Sequence, residues 1–381
     1  MKAAVFYGAR DFRVEEIEQP KIELKDVLIR VRACGICGSD LHAYKEGIFS
    51  RPGFVMGHEM AGEVVGAGSG VQGIAVGDRV VPLGGVREHP CGECFWCRRG
   101  QTQWCSSTAH KPCGECNQCR AGRFWLCEKS QRYMLAGYSR NGGYAEYMFV
   151  PDAAVNKNIY RIPDSVSFEE AAFLEPLWGA YKWVDMAEPQ PHDTAVVTGL
   201  GTIGLLAMQV LKGRVARIIV SDVSEKRLRL AAELGADVAV NPANEDLLAK
   251  VIELTGDGRS FSGRGGGRAD IVIECSGATA AFKQAIEMTR TGGHIVLVGL
   301  YEHDISFNVN RIIHKQLKLV SSFKPGRRLA PEEIVDCMDL IASGKARVKP
   351  LISHEFPLDE IMPAFETQAK PDESVKVMVK P

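Results

Sequence analysis

The chain is predicted to be an α/β protein in two parts, a small irregular β-rich domain and a doubly wound parallel sheet covered by helices. Three observations lead there. Its 381 residues exceed what one ordinary core holds. From Met1 to Pro163, short β-patterned runs such as DVLIRVRAC and GEVVGAG are punctuated by glycine-containing turns. From Thr194 to Leu300, strand and helix patterns alternate, as in a parallel sheet with crossover helices.

The opening MKAAVFYGARDFRVEE alternates like an edge strand and lacks the apolar core and cleavage site of a secretory signal. Near Asp164 the texture turns helical in SVSFEEAAFLEPLWGAYKWVDM, with Ser or Asp capping an acidic first turn. The longest apolar run, Ala195 to Leu211, is interrupted by glycines and threonines and reads as buried strand, turn and helix, not a membrane span. FSGRGGGRAD, just before IVIECSG, reads as a mobile loop. Beyond Asn310, the amphipathic PEEIVDCMDLIASGK and the closing strand SVKVMVKP most simply rejoin the first domain. The expected division is therefore 1–163 with 306–381, and 164–305.

With 46 Lys and Arg against 47 Asp and Glu, nothing recommends nucleic acid or a membrane surface as partner. A cytoplasmic protein is expected. Its 12 cysteines are clustered. Cys91, Cys94, Cys97 and Cys105 spell C-G-E-C-x-x-C-R-x-G-x-x-x-x-C, and Cys113, Cys116, Cys119 and Cys127 spell it again. Four thiolates in this spacing suit tetrahedral structural zinc better than a disulfide framework. Ferredoxin-type spacing would end in a nearer fourth Cys followed by Pro, which argues against iron–sulfur electron transfer. A zinc-finger-like binding module would need a basic stripe that neither box carries.

TAVVTGLGTIGLLAMQVL sets Gly199, Gly201 and Gly204 in G-x-G-x-x-G spacing between an apolar strand and a helix. The first glycine permits the tight turn, the second lets backbone approach a pyrophosphate, and the third packs helix on strand. The next strand ends in Asp222. A carboxylate there accepts hydrogen bonds from both ribose hydroxyls and repels a 2′-phosphate, favouring NAD over NADP and against an NADPH-dependent reductase. Lys226 and Arg227 could bind a phosphate if Asp222 turned away.

ACGICGSDLHAY supplies Cys37, Ser39, Asp40 and His42, and VMGHEMAGEVVG adds His58 and Glu59. A thiolate, an imidazole and a carboxylate can bind zinc while leaving a position for water or substrate. Glu175 in FLEPLWG competes with Glu59 as third ligand.

CGICGSDLH, GHEMAGEVVGAGSGVQGIAVGDRVV, the cysteine box, NGGYAEYMFVP, FLEPL and TGLGTIG together resemble the medium-chain, zinc-dependent alcohol dehydrogenase superfamily, over essentially the whole chain. The resemblance implies a GroES-like catalytic domain split around a Rossmann domain, with the active site in the cleft between them and a homodimer or homotetramer. E-P-L resembles the polyol branch of sorbitol and butanediol dehydrogenases; members acting on simple primary alcohols usually carry cysteine there, and threonine dehydrogenases usually aspartate. By resemblance, Cys37 and His58 are zinc ligands completed by Glu59 or Glu175, Asp40 orients a ligand imidazole, and Ser39 hands the substrate proton toward His42. Asp222 and Arg227 contact the adenosine ribose region, and Cys275 to Gly277 with Val298, Gly299 and Leu300 line the nicotinamide side. The implied reaction takes a hydride from a secondary alcohol or polyol to NAD, giving a ketone or ketose; a threonine- or amino-alcohol-type dehydrogenase is the alternative. The exit from the second box matches the family's usual return to the barrel, so Cys113 to Cys127 is expected to be the ordinary structural lobe and Cys91 to Cys105 a 22-residue tandem insertion. Both boxes, spanning 91–127, are expected to hold zinc, giving three ions per subunit with the catalytic one.

Overall fold

The computed structural model describes residues 1–48, 50, 52–83, 115–120, 141–258, 266–321 and 331–381. The cysteine boxes lie outside these residues save around Cys116, and so does most of the glycine-rich tract before IVIECSG. The chain separates into two compact units, Met1–Glu175 with Gly326–Gly344 and Leu351–Pro381, and Pro176–Pro325 with Lys345–Pro350.

The first unit begins with a hairpin, β1 (Lys2–Gly8) and β2 (Asp11–Glu16), followed by β3 (Val27–Gly35), α1 (Gly38–Glu46), β4 (Phe54–Val55), β5 (Glu59–Ala67) and β6 (Arg79–Pro82). A short α2 (Asn117–Arg120) precedes β7 (Tyr147–Val150), β8 (Ile159–Arg161) and α3 (Phe168–Ala171). The expected edge strand is instead the centre of a small sheet: β1 pairs with β2 on one side and β4 on the other, which is why Ala3 through Phe6 are all buried. Ser167 caps α3 through a capping box with Glu170, as the acidic first turn predicted.

The helical segment after Asp164 is two helices, because the chain breaks after α3 and restarts as α4 (Leu174–Met186), with Pro176 tolerated in its first turn. The second unit then runs β9 (Thr194–Thr198), α5 (Thr202–Leu211), β10 (Arg217–Ser221), α6 (Glu225–Leu234), β11 (Val238–Val240), α7 (Leu247–Thr255), β12 (Ala269–Glu274), α8 (Thr279–Met288), β13 (Thr289–Leu297), α9 (Asn310–Lys315) and β14 (Lys318–Ser321). Its strands order β11-β10-β9-β12-β13-β14, all parallel, the doubly wound arrangement in which β9 and β12 flank the switch point. Among the described residues, no helix is long and apolar enough to cross a membrane.

The chain ends with α10 (Pro331–Ala342), β15 (Ile352–Pro357), α11 (Ile361–Gln368) and β16 (Lys376–Lys380). The two strands β15 and β16 complete a sheet ordered β15-β16-β3-β5-β6-β8, with β7 also on β3. Phe365 of α11 stacks on Phe12 at 4.7 Å and meets the Tyr144 ring edge-on at 5.8 Å, tying the carboxy-terminal segment into the first core.

The unit boundaries differ from the expected ones. The segment 306–321 belongs to the second unit, because β14 adds the sixth strand beside β13 and Lys315 donates to the carbonyls of Ile286 and Glu287 at the end of α8. The stretch 164–175 stays with the first unit. Residues 345–350 stay with the second, where Gln209 bonds both backbone groups of Arg347.

Candidate active site

Two antiparallel strands build the centre of the first unit. In the β3–β5 register Gly35 faces Glu59, so Cys37, two residues past β3, meets His58 and Glu59 at the start of β5. The ligand atoms of Cys37, His58 and Glu59 lie within 4.8 Å of one another. That donor set, one thiol, one imidazole and one carboxylate, matches a catalytic zinc centre with a position left for substrate.

Asp40, fully buried in α1, supports this trio. Its Oδ2 accepts the Cys37 N–H at 3.0 Å and the Tyr144 hydroxyl at 2.7 Å, and its Oδ1 lies 3.5 Å from His58 Nδ1. Burial alone would raise its pKa; His58, the Tyr144 hydroxyl and the Cys37 N–H outweigh it and hold the carboxyl below its ordinary range. With Nδ1 turned to Asp40, the His58 Nε2 lone pair is left for a metal. Burial and the nearby carboxylate push the Tyr144 hydroxyl well up, keeping it a donor.

Lys376 of β16 adds a cation. It is buried, forms an ion pair with Glu59 and donates to the Ile36 carbonyl at 3.0 Å. Burial lowers its pKa, but Glu59, Cys37 and Asp40 together raise it, so it stays charged. Glu175, at the start of α4, is pushed up to about 7, first by burial and then by Glu59 and Asp40, against the opposing pull of His58 and Lys376. A carboxyl half-protonated near neutrality is suited to taking and giving protons.

Ser39 and His42 lie three residues apart on α1, and His42 Nδ1 reaches Glu46 at 3.0 Å toward the exposed side of the helix. Sequence reasoning missed Lys376 and Tyr144. A lysine inside the apolar SVKVMV run signals the first; nothing local signals the second.

In the second unit the glycine turn is built as its spacing predicts. Gly199 takes φ +84°, and a Cβ there would sit 2.6 Å from the Ser276 nitrogen. A Cβ at Gly204 would overlap the Gly199 carbonyl oxygen, whereas one at Gly201 meets nothing within 4 Å. That open approach at the amino end of α5 fits a pyrophosphate. Asp222 is not turned away: Oδ2 accepts from Leu200 N at 2.6 Å inside the turn, Oδ1 from Ser224 N at 2.8 Å, and Arg227 stands 3.8 Å off.

Glu274, wholly buried at the end of β12, gathers both neighbouring corners. Its carboxylate accepts from Ser276, Gly277 and the Tyr301 hydroxyl, while its carbonyl accepts from Val298 N and Gly299 N, each at 2.9 Å. The corner residues 275–277 and 298–301 are thus fixed as one piece beside the switch point, with Leu300 exposed.

Fold and site together define a zinc-dependent oxidoreductase. The sequence matches the family described as alcohol dehydrogenase GroES-like domain over residues 23–111, and that described as zinc-binding dehydrogenase over 202–343. It is 34% identical over 373 residues to an L-threonine 3-dehydrogenase of Pyrococcus abyssi, covering 96% of this chain and 93% of the relative. It is 33% identical over 386 residues to a sorbitol dehydrogenase of Halalkalibacterium halodurans, covering 100% and 99%. The solved 2R,3R-butanediol dehydrogenase of Bacillus subtilis superposes with a TM-score of 0.78 at 29% identity, covering 100% of this chain and 99% of that one. The chain belongs to the medium-chain zinc-dependent alcohol dehydrogenase superfamily. It is an alcohol or polyol oxidoreductase acting on CH–OH donors with zinc and a nicotinamide dinucleotide.

Proposed function

We propose that the protein oxidises a secondary alcohol, polyol or sugar alcohol to the ketone or ketose with NAD, at a centre made by Cys37, His58 and Glu59. The observation that carries this reading is the convergence of those three ligand atoms within 4.8 Å, with a Glu175 carboxyl poised at about 7 electrostatically coupled to them. Cys37, His58 and Glu59 would hold the zinc, with Glu175 an acid–base group and the competing third ligand. Bound there, zinc supplies Lewis acidity that lowers the pKa of a substrate hydroxyl. Asp40 and Tyr144 orient His58, and Lys376 pairs with Glu59. Ser39 receives the hydroxyl proton and passes it to His42, whose ring reaches Glu46. Gly199, Gly201 and Gly204 would seat the dinucleotide, Asp222 its ribose with Arg227 alongside, and the Val298, Gly299 and Leu300 corner its nicotinamide side; NAD supplies the hydride acceptor. Asp222, held in the turn by Leu200 N, supports NAD over NADP. Both cysteine boxes hold a structural zinc, the protein is cytoplasmic, and it assembles as a homodimer or homotetramer.

Polyols, secondary alcohols and L-threonine assayed with NAD, read at the NADH absorbance, define the substrate. Cys37→Ala abolishes turnover, lowers zinc from three to two per subunit, and leaves NADH binding intact by fluorescence. Undiminished turnover by this variant overturns the site, and a wild-type content of two overturns the double structural zinc.

A further inference from the structure

We propose that the buried carboxylate of Glu274 reads the oxidation state of the cofactor, favouring the cationic nicotinamide ring of NAD over the neutral ring of NADH. This deepens the function proposed above and rests on its placement of the dinucleotide.

Every contact involved lies within the second unit. Glu274 ends β12 at the carboxyl rim of the sheet, in register with Thr198, the residue before the glycine turn. Ser276, two residues on, backs that turn, since a Cβ on Gly199 would sit 2.6 Å from its nitrogen. Dinucleotides bind doubly wound sheets outside this rim, across the switch point, one half on each side. Asp222 follows β10, on one side of β9, and takes the adenosine ribose; β12 and β13, on the other side, are left with the nicotinamide. Glycines bring the Glu274 carboxylate close against that corner. A Cβ on Gly299 would stand 3.0 Å from Glu274 Oε2 and 2.2 Å from Gly277 N, and one on Gly277 would stand 2.3 Å from the Leu300 carbonyl oxygen.

The fold uses the shape of this side chain but has no use for its charge. Glu274 accepts from Ser276 N at 2.8 Å, from Gly277 N at 3.2 Å on either oxygen, and from the Ser276 and Tyr301 hydroxyls. A glutamine would keep these ties, its oxygen accepting from Ser276 and Gly277 and its amide donating to the Tyr301 hydroxyl. Among the described residues no lysine, arginine or histidine pairs with Glu274. A carboxylate buried without a cation is costly, so an anion here calls for a positive ligand. The pyridinium ring is the one cationic group of NAD, and reduction removes its charge. Glu274 therefore holds the oxidised ring and has no such hold on the reduced one, which favours the capture of NAD and the release of NADH that alcohol oxidation needs.

Full-length, zinc-loaded wild type and Glu274→Gln are titrated calorimetrically with NAD, NADH and benzamide adenine dinucleotide, whose ring has carbon in place of the cationic nitrogen. Unit charges about 10 Å apart at an effective dielectric of about 20 change an equilibrium by roughly tenfold. The variant should bind NAD about tenfold more weakly, with NADH and the benzamide analogue within about threefold of wild type. Tyr301→Phe and Ser276→Ala, which loosen the corner and keep the charge, should leave the ratio of NAD to NADH affinity unchanged. If Glu274→Gln weakens NAD and NADH equally, the inference is overturned and Glu274 only holds the corner; unchanged affinities overturn it too. Should the glutamine variant not fold, wild type decides, by binding NAD about tenfold more tightly than the benzamide analogue or failing to. Wild-type enzyme that binds neither NAD nor NADH overturns the proposed function itself.

Discussion

Two glycines three residues apart should fail in opposite ways. Gly201 caps α5 with extended backbone (φ −66°, ψ −174°) that any residue adopts, and a Cβ there meets nothing within 4 Å. Gly201→Ala therefore trades a small capping loss against reduced freedom of the unfolded chain, a net change under about 1 kcal/mol. Its melting temperature should stay within about 4 °C of wild type. The added methyl instead occupies the approach to the first-turn N–H groups of α5, which have no acceptor within the helix. Losing one charge-assisted hydrogen bond costs about 1.5–3 kcal/mol, or roughly 10- to 150-fold in NADH affinity by fluorescence titration. Gly204→Ala drives its methyl into the Gly199 carbonyl and to 3.7 Å from Cys275 Cβ, forcing α5 off β9 at a cost of about 1–3 kcal/mol or more. It should melt lower, and affinity should fall only as the turn distorts. A Gly201→Ala protein that binds NADH within threefold of wild type, or a Gly204→Ala protein that melts with it, refutes the assignment of this turn.

Lys376→Met leaves the Glu59 carboxylate buried opposite no ammonium, and should cost about 3–5 kcal/mol in the urea unfolding of chelator-treated protein; an unchanged midpoint refutes a buried pair. Lys315 titrates the other way. Burial first, and then Arg311, bring its pKa from 10.5 to about 8, so between those values the folded state binds fewer protons than the unfolded chain. Stability from this residue thus rises with pH across 8 to 10.5, by about 3 kcal/mol at 1.36 kcal/mol per pKa unit, and is lost as pH falls through 8. Arg311 is itself paired with Glu287 on α8. Wild type should gain on Lys315→Met in denaturation midpoint between pH 7.5 and 10; parallel midpoints contradict the shift.

What could be read in advance was local. Gly199, Gly201 and Gly204 sit between a strand and a helix, and their roles follow from spacing. Cys37, His58 and Glu59 carry metal-ligand chemistry in their side chains, so their grouping was legible without knowing that β3 and β5 pair. The supporting groups were not. Tyr144 reaches Asp40 across 104 residues and Lys376 reaches Glu59 across 317, and no periodicity reports such pairings. The domain boundary at 305/306 erred because β14 is only four residues long, a weak signal until β13 is seen beside it. The hairpin of β1 and β2 looked like one alternating edge because the partner that buries β1, the two-residue β4, carries almost no pattern of its own.

The closing strand also imposes an order on biosynthesis. The Lys376 ammonium bonds the Ile36 carbonyl across 340 residues, and β16 lies between β3 and β15 in the first unit's sheet. On the ribosome, β3 leaves the exit tunnel long before its neighbour β16 has been translated. The six strands from β9 to β14 follow one another without interruption and can pair as they emerge. The second unit can therefore complete its sheet before β16 is made, while the Cys34–Gly35 end of β3 waits with an unpaired edge that invites aggregation or a chaperone. A stop codon before residue 376 would leave that edge permanently open.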